Sequence, residues 1–417
     1  MSHDEYITFG DAARRATRAF GAMLKPVGSA CNLDCAYCYY LGKADLYGGR
    51  LSRMSLELLE EYTRQYISGS DSDTLAFAWH GGEPLLAGRE WFLAALEFQR
   101  RYSDGRPITN SLQTNGLLLD DEWCRLLRDN GFLVGISVDG PRDIHDAFRT
   151  DRDGRGTFDR VMEAVALMQR HGVEYNTLTT VNARSAGRGG EVYGFLRGIS
   201  RYMQFLPVAE YVVAADGTRP RIVPPDTEGA SPASWSVGAR DYGKFMCDVF
   251  DRWVTSDVGE RFVQLFDATL AGYMNVPAGL CTMCETCGGT IAVEHNGDVY
   301  PCDHFVYPQY LLGNIRERPL RDICGSDEHF RFGLAKRNTL PRECLRCKYL
   351  ALCHGECPQH RFATSKSGER NLNALCGGYK SFFAHTEPYM ERMRHLLAKK
   401  MPPAAIMPWA RRNMGIK

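Results

Sequence analysis

No stretch of this 417-residue chain approaches the roughly 18 consecutive apolar residues that cross a bilayer, so no transmembrane helix is expected. Net charge is missing as well. Fifty basic side chains are balanced by fifty acidic ones, which gives no reason to expect a polyanionic partner such as nucleic acid. The first residues, Met1-Ser2-His3-Asp4-Glu5, are acidic and carry no apolar segment. A standard signal peptide is therefore not expected, and a cytoplasmic location is. There is no internal repeat and no low-complexity tract. What remains is an ordinary globular composition, 44% hydrophobic and 24% charged, in a chain too long for one hydrophobic core. One large domain and a smaller one are expected.

Cysteine is not scarce: there are fifteen. In a secreted chain they would suggest disulfides, but a reducing compartment keeps thiols free, and clustered cysteines there read as metal ligands. Three lie between positions 31 and 38 and ten between Cys281 and Cys376. Cys124 and Cys247 stand apart in helix-like contexts and read as small buried side chains.

From about residue 22 to 210, β-type runs alternate with helix-type runs. The expected strands are Met23–Val27, Thr74–Trp79, Thr109–Gln113, Phe132–Val138, Tyr175–Val181 and Met203–Val208. Helical patterns fill Ser55–Ile67, Trp91–Tyr102, Asp121–Asp129, Phe158–His171 and Glu191–Leu196. Six such units predict a parallel α/β sheet that falls short of the eight needed to close a barrel, so a partial (β/α)6 barrel is expected. Residues 215–238, rich in Pro, Gly and Ser, read as a linker or surface excursion. Helices are expected at Tyr242–Val254, Arg261–Tyr273 and Tyr379–Leu397, and a poorly ordered tail around Met401-Pro402-Pro403.

In β/α barrels the chemistry sits at the C-terminal ends of the strands. The unusual loops fall there: the cysteine run after the first strand, His80-Gly81-Gly82-Glu83-Pro84 after the second, Thr114-Asn115-Gly116 after the third and Asp139-Gly140-Pro141 after the fourth. Cys31, Cys35 and Cys38 have C-x3-C-x2-C spacing. Three ligands leave one iron of a four-iron cubane open to another molecule. The alternative, a structural zinc site, wants four closed ligands.

This run, with an aromatic Tyr37 before the last cysteine, resembles the radical SAM superfamily. Gly81-Gly82-Glu83-Pro84 looks like that superfamily's glycine-rich loop, which holds the methionine amine of S-adenosylmethionine. The resemblance implies a cluster whose open iron binds this cofactor, and a 5′-deoxyadenosyl radical as product of its cleavage. It also implies cofactor-binding roles for Tyr37, Gly82, Glu83, Ser137, Arg149 and Leu206. Without it, Arg149 in His145-Asp146-Ala147-Phe148-Arg149 would read as part of a solvated helix face.

The later cysteines resemble the SPASM extension, which binds two auxiliary four-iron clusters; a zinc-only reading is the alternative. The segments Ala292–Tyr307, Leu352–Pro358 and Leu375–Lys380 narrow the resemblance to the anaerobic sulfatase-maturating enzymes. By that resemblance Cys281, Cys287, Cys302 and Cys357 would hold one auxiliary cluster, with Cys284 open as a substitute for Cys281. Cys344, Cys347, Cys353 and Cys376 would hold the other, and Cys324 has no role. Asp303, otherwise an ordinary polar neighbour of a cluster ligand, becomes the catalytic base, and the electron would leave through the adjacent cluster. His80 is a further candidate close to the reacting centre, and Tyr40 a candidate substrate contact.

The implied organisation is a radical SAM core over 1–225, a linker and bridging helices over 226–280, a SPASM domain over 281–380 and a C-terminal helix and tail over 381–417. The implied reaction oxidises a cysteine or serine to Cα-formylglycine in an unfolded sulfatase with a Cys/Ser-x-Pro-x-Arg-like motif. The cofactors are three [4Fe-4S] clusters and S-adenosylmethionine, and the electron donor would resemble flavodoxin or ferredoxin. Crosslinking of a ribosomal peptide is the runner-up, and a zinc-binding sulfatase regulator without activity the third reading.

Overall fold

The computed structural model describes residues 7–8, 10–12, 19–48, 52–214, 220–223 and 227–416. Met1–Glu5, the boundary at 225/226 and parts of the 215–238 stretch lie outside them. Strands β1 (Gly21–Leu24), β2 (Leu75–Trp79), β3 (Ile108–Thr114), β4 (Phe132–Ser137), β5 (Tyr175–Val181) and β6 (Tyr202–Pro207) lie side by side in chain order, every neighbouring pair parallel. Helices Leu56–Gly69, Arg89–Tyr102, Asp121–Asp129, Phe158–His171 and Gly189–Leu196 alternate with them. This is the expected partial barrel. β1 ends at Leu24, earlier than the sequence pattern suggests, because Pro26 has no N–H with which to extend a ladder.

The alternation of β2 shows how the core is built. Leu75, Phe77 and Trp79 are buried, and Phe77 meets Tyr66 of the first helix at 4.9 Å between ring centroids. Trp79 packs on Phe92 at 5.5 Å while its indole N–H donates to Asn110 Oδ1 at 2.8 Å. Each such ring contributes about 1.5–3 kcal/mol by leaving water. Ser55 and Asp120 cap two of the helices by accepting the N–H of Leu58 and Trp123.

The sheet does not stop at six strands. Phe262–Val263, inside a stretch expected to be helical, forms β10 against β6, and the helix begins only at Gln264. On the other edge β11 (Thr290–Val293) runs parallel to β1 and is followed by antiparallel β12 (Asp298–Tyr300) and β13 (Gly313–Asn314). Residues 290–314 thus extend the barrel sheet, and the C-terminal end of β11 shares a rim with that of β1. In the Pro/Gly/Ser-rich region, β7 (Tyr211–Val213), β8 (Arg221–Val223) and β9 (Ser231–Pro232) make a small antiparallel sheet.

Helix Cys376–Ala398 lies on helix Ala239–Ser256, and glycine permits the close approach: a Cβ at Gly378 would stand 2.2 Å from the Ala239 carbonyl oxygen. The tail expected to be poorly ordered instead forms helix Met407–Asn413. Ile406 and Ala410 are buried and Trp409 packs on Tyr389 at 5.4 Å. Pro402 and Pro403 precede this turn, where proline suits a helix start, so the pair that looked like a breaker is an initiator.

Candidate active site

Cys31, Cys35 and Cys38 follow β1 on a loop that pairs with residues 148–151: Asp34 donates to the Thr150 carbonyl and Ala36 to that of Phe148. Leu33 N–H and the Asn115 amide both point at Cys31 Sγ, at 3.4 and 3.7 Å. Burial pushes the thiols of Cys31 and Cys35 up to about 12, and each feels the Cys38 thiol. Thiols so placed ionise readily only with a metal to hold the thiolates.

The loop after β2 is fastened to this one. Gly82 N–H donates to the Gly28 carbonyl at 2.8 Å and Glu83 N–H to that of Ala30 at 2.7 Å. A Cβ on Gly82 would lie 1.9 Å from the Ala30 oxygen, so only glycine fits. Glu83 is fully buried, and its carboxylate accepts from Leu85 N–H, Asn115 N–H and the Thr114 hydroxyl. That side chain locks the rim loops after β2 and β3 together. Burial raises its pKa to about 7 against these hydrogen bonds.

The remaining cofactor-binding candidates lie on the cysteine loop after β1 (Tyr37), at the end of β4 (Ser137), in the segment after β4 (Arg149) and on β6 (Leu206). Tyr37 donates its hydroxyl hydrogen to buried Asp139, and Arg149 forms an ion pair with the same carboxylate at 3.0 Å. The guanidinium is thus held by Asp139, whose role the sequence reading missed. Ser137 Oγ accepts from Gln113 at 3.1 Å. Leu206 is 39% exposed, on the face of β6 opposite buried Met203 and Phe205.

Asp303 sits on the short helical turn Asp303–Phe305, just past Cys302. Tyr39 donates to Asp303 Oδ2 at 2.6 Å, and Lys25 Nζ lies 3.8 Å from the same oxygen. Burial raises the Asp303 pKa, but His304, Lys25, His80 and the Tyr39 hydrogen bond outweigh it and hold the carboxyl well below the usual carboxylate range. Lys25 Nζ is also 3.1 Å from His80 Nδ1, which accepts the Gly81 N–H at 2.8 Å. The imidazole proton therefore belongs on Nε2. Burial, with Lys25 second, lowers the His80 pKa to about 3.

Tyr40, expected to contact substrate, is only 2% exposed, with its hydroxyl on buried Glu294; its neighbour Tyr39 is the tyrosine that reaches Asp303. Lys25, Tyr39 and Glu294 were missed by sequence reading. The available signal was a lysine at the C-terminal end of a barrel strand, where a charge has no packing role.

Cys344, Cys347, Cys353 and Cys376 line one pocket together with Tyr349, Tyr379 and Phe383. Among the described residues no three His, Cys, Asp or Glu side chains are gathered closely enough for a single metal ion. Cys302 feels Cys357 and Cys281, and Cys357 feels Cys287 and Cys281. Cys284 acts on Cys281 and Cys287, but its thiol is turned to the Leu280 carbonyl at 3.5 Å. Cys324 is on none of these surfaces; the backbone carbonyl beside its thiol is bound by His329. Cys124 is fully buried, as expected, whereas Cys247 is only half-buried.

Comparison with known proteins fits this geometry. Residues 26–183 match the radical SAM superfamily, and residues 281–348 match SPASM, an iron-sulfur cluster-binding domain. Fold and site therefore define a radical SAM protein with a C-terminal iron–sulfur domain. A serine-type anaerobic sulfatase-maturating enzyme from Bacteroides thetaiotaomicron is 44% identical over 388 residues, 92% of this chain and 94% of the relative. A cysteine-type counterpart from Clostridium perfringens is 33% identical over 371 residues, 88% of this chain and 96% of the relative. The solved structure of native anSMEcpe with bound AdoMet and Cp18Cys peptide matches with a TM-score of 0.78 at 31% identity, covering 90% of this chain and 99% of that one. The chain belongs to the anaerobic sulfatase-maturating enzymes. Among the described residues no helix is long and apolar enough to cross a membrane.

Proposed function

We propose that this enzyme oxidises a cysteine or serine side chain in an unfolded sulfatase polypeptide to Cα-formylglycine, with Asp303 as the base. The observation that carries the assignment is a half-buried carboxylate held by Tyr39 at 2.6 Å beside the cysteine-bearing loop. Bound to the chain, S-adenosylmethionine and three four-iron clusters supply the radical that takes a hydrogen from the substrate Cβ and the acceptor for the electron that follows.

The protein's own part is positional and electrostatic. Gly82 and Glu83 shape the loop that would hold the cofactor's methionine end, and Tyr37, Ser137, Arg149 and Leu206 would hold the rest of it. Asp303 takes the proton of the substrate thiol or hydroxyl, which it can do only when ionised and within hydrogen-bond reach; serine then gives the aldehyde directly, and cysteine a thioaldehyde that water hydrolyses to the aldehyde with release of hydrogen sulfide. Lys25 and Tyr39 keep it ionised and aimed.

The ligand sets are Cys31, Cys35 and Cys38; Cys281, Cys287, Cys302 and Cys357; and Cys344, Cys347, Cys353 and Cys376. The turned-away thiol of Cys284 supports Cys281 in the second set. The working parts are a core over 1–225, a bridging segment over 226–280, a cluster domain over 281–380 and a closing helix and tail over 381–417. A flavodoxin- or ferredoxin-like donor in the cytoplasm supplies the electron. The test is anaerobic reconstitution with paired serine and cysteine peptides, reading aldehyde and 5′-deoxyadenosine together; cofactor cleavage without aldehyde from either peptide overturns the reading.

A further inference from the structure

Glu210 stands just past β6, on the same strand-end rim as the cysteine loop and the glycine-rich loop. Its backbone is fixed: its N–H donates to Ser236 Oγ at 2.9 Å, and its carbonyl accepts from that hydroxyl at 3.0 Å and from Ala233 N–H at 2.9 Å. The side chain is half-buried, and its hydrogen bond is a long one, from Gln359 Nε2 at 3.3 Å. No described cation forms an ion pair with it.

The two cations it feels are committed elsewhere. His360 is 3.0 Å from Glu356, and Lys43 Nζ lies over the Tyr307 ring, 3.1 Å from its centroid. Gln359 Oε1, on the amide that reaches Glu210, is buried with no hydrogen-bond partner. A carboxylate without a counter-ion and an amide oxygen without a donor thus sit together. Leaving both unpaired is costly, and one group satisfies them: a guanidinium, with a positive charge and five N–H donors in a plane. Burial lifts the Glu210 carboxyl to about 7 against the pull of His360 and Lys43, as expected of an acid whose counter-charge has yet to arrive.

The location suits a substrate side chain. Tyr307, which borders Glu210, comes four residues after Asp303, just beyond the turn Asp303–Phe305, and His304 of that turn feels both Asp303 and His360. An extended peptide covers about 13 Å in four residues. We propose that Glu210 and Gln359 form the subsite that receives the arginine of the sulfatase motif, fixing the register that brings the residue to be oxidised to Asp303. The proposal rests on the formylglycine reading above.

The test is binding of fluorescently labelled serine peptides by the reconstituted holoenzyme, carrying either the motif arginine or methionine in its place, with aldehyde measured in parallel. The wild type should bind the arginine peptide about tenfold or more tightly, the ratio expected for a charge-assisted hydrogen-bonded pair. In Glu210→Gln that ratio should fall to about threefold or less, and Glu210→Asp should restore part of it. Gln359→Leu should also narrow the ratio, guarding against a Glu210 variant that does not fold. Equal affinity of the wild type for both peptides, or an unchanged ratio in Glu210→Gln and Gln359→Leu, overturns the subsite. Normal discrimination in binding with no aldehyde from either peptide would instead sink the formylglycine reading and leave the subsite standing.

Discussion

Lys25 Nζ lies 3.8 Å from Asp303 Oδ2, and none of the lysine side chain is exposed. Burial lowers the lysine's pKa, and Asp303 and Glu294 pull it back up. A buried cation is kept only where its partners compensate its desolvation, and removing one partner strands the others. β1 delivers this lysine and the turn beyond β12 delivers the aspartate, so the pairing of β1 with β11 is what makes the contact.

Lys25→Met should therefore lower aldehyde formation by at least about tenfold, and the melting temperature should fall because Asp303 and Glu294 lose their counter-charge. Parallel product assays and thermal unfolding check this. Unchanged turnover would remove Lys25 from the machinery.

Asp303→Asn keeps the shape and removes the proton acceptor. Aldehyde should fall by roughly 10²–10⁴-fold while 5′-deoxyadenosine is still released. Tyr39→Phe, which removes the 2.6 Å hydrogen bond but leaves the carboxylate, should lie between Asp303→Asn and the wild type. Chromatography of both products in the same reactions decides it.

Iron analysis tests the ligand sets. Cys281→Ala should lose about four irons, one cluster's worth, whereas Cys284→Ala and Cys324→Ala should retain the wild-type content. Equal loss in Cys281→Ala and Cys284→Ala would contradict the assignment.

Glu210 also makes a pH prediction. Its carboxyl has an ordinary value of 4.5 and is raised to about 7 by burial in the folded chain. Between those values the folded state holds the proton more tightly than the unfolded one, so this group costs stability as pH rises through the window and imposes its full cost above about 7. The melting temperature of the wild type relative to Glu210→Gln should therefore drop from pH 6 to pH 8, and saturating arginine peptide should flatten the trend.

The barrel was legible because its strands are short, β-branched or aromatic runs separated by periodic helices, and because glycine loops mark the strand ends. The cysteine spacings were legible for the same local reason. What local pattern could not show was long-range pairing. β11 lies beside β1 although 265 residues separate Leu24 from Thr290 in the chain, and this pairing brings Lys25 to Asp303. Nothing near Lys25-Pro26 in sequence announces a carboxylate. Glu210 is similar: its meaning depends on Lys43 and on the adjacent Gln359 and His360, drawn from two distant segments. Arg149 was picked out, but its partner Asp139 was seen only as part of a loop, because an ion pair ten residues apart follows no helix or strand period.

The most direct measurement incubates the reconstituted enzyme anaerobically with S-adenosylmethionine, a reductant and a serine or cysteine peptide of the sulfatase motif, followed by mass spectrometry after hydrazine trapping. The account predicts that a trappable aldehyde forms at the motif residue, two hydrogens lighter than the serine peptide, with matching 5′-deoxyadenosine and dependence on Asp303. Cofactor cleavage with no aldehyde from either peptide, or a new crosslink in its place, would contradict it.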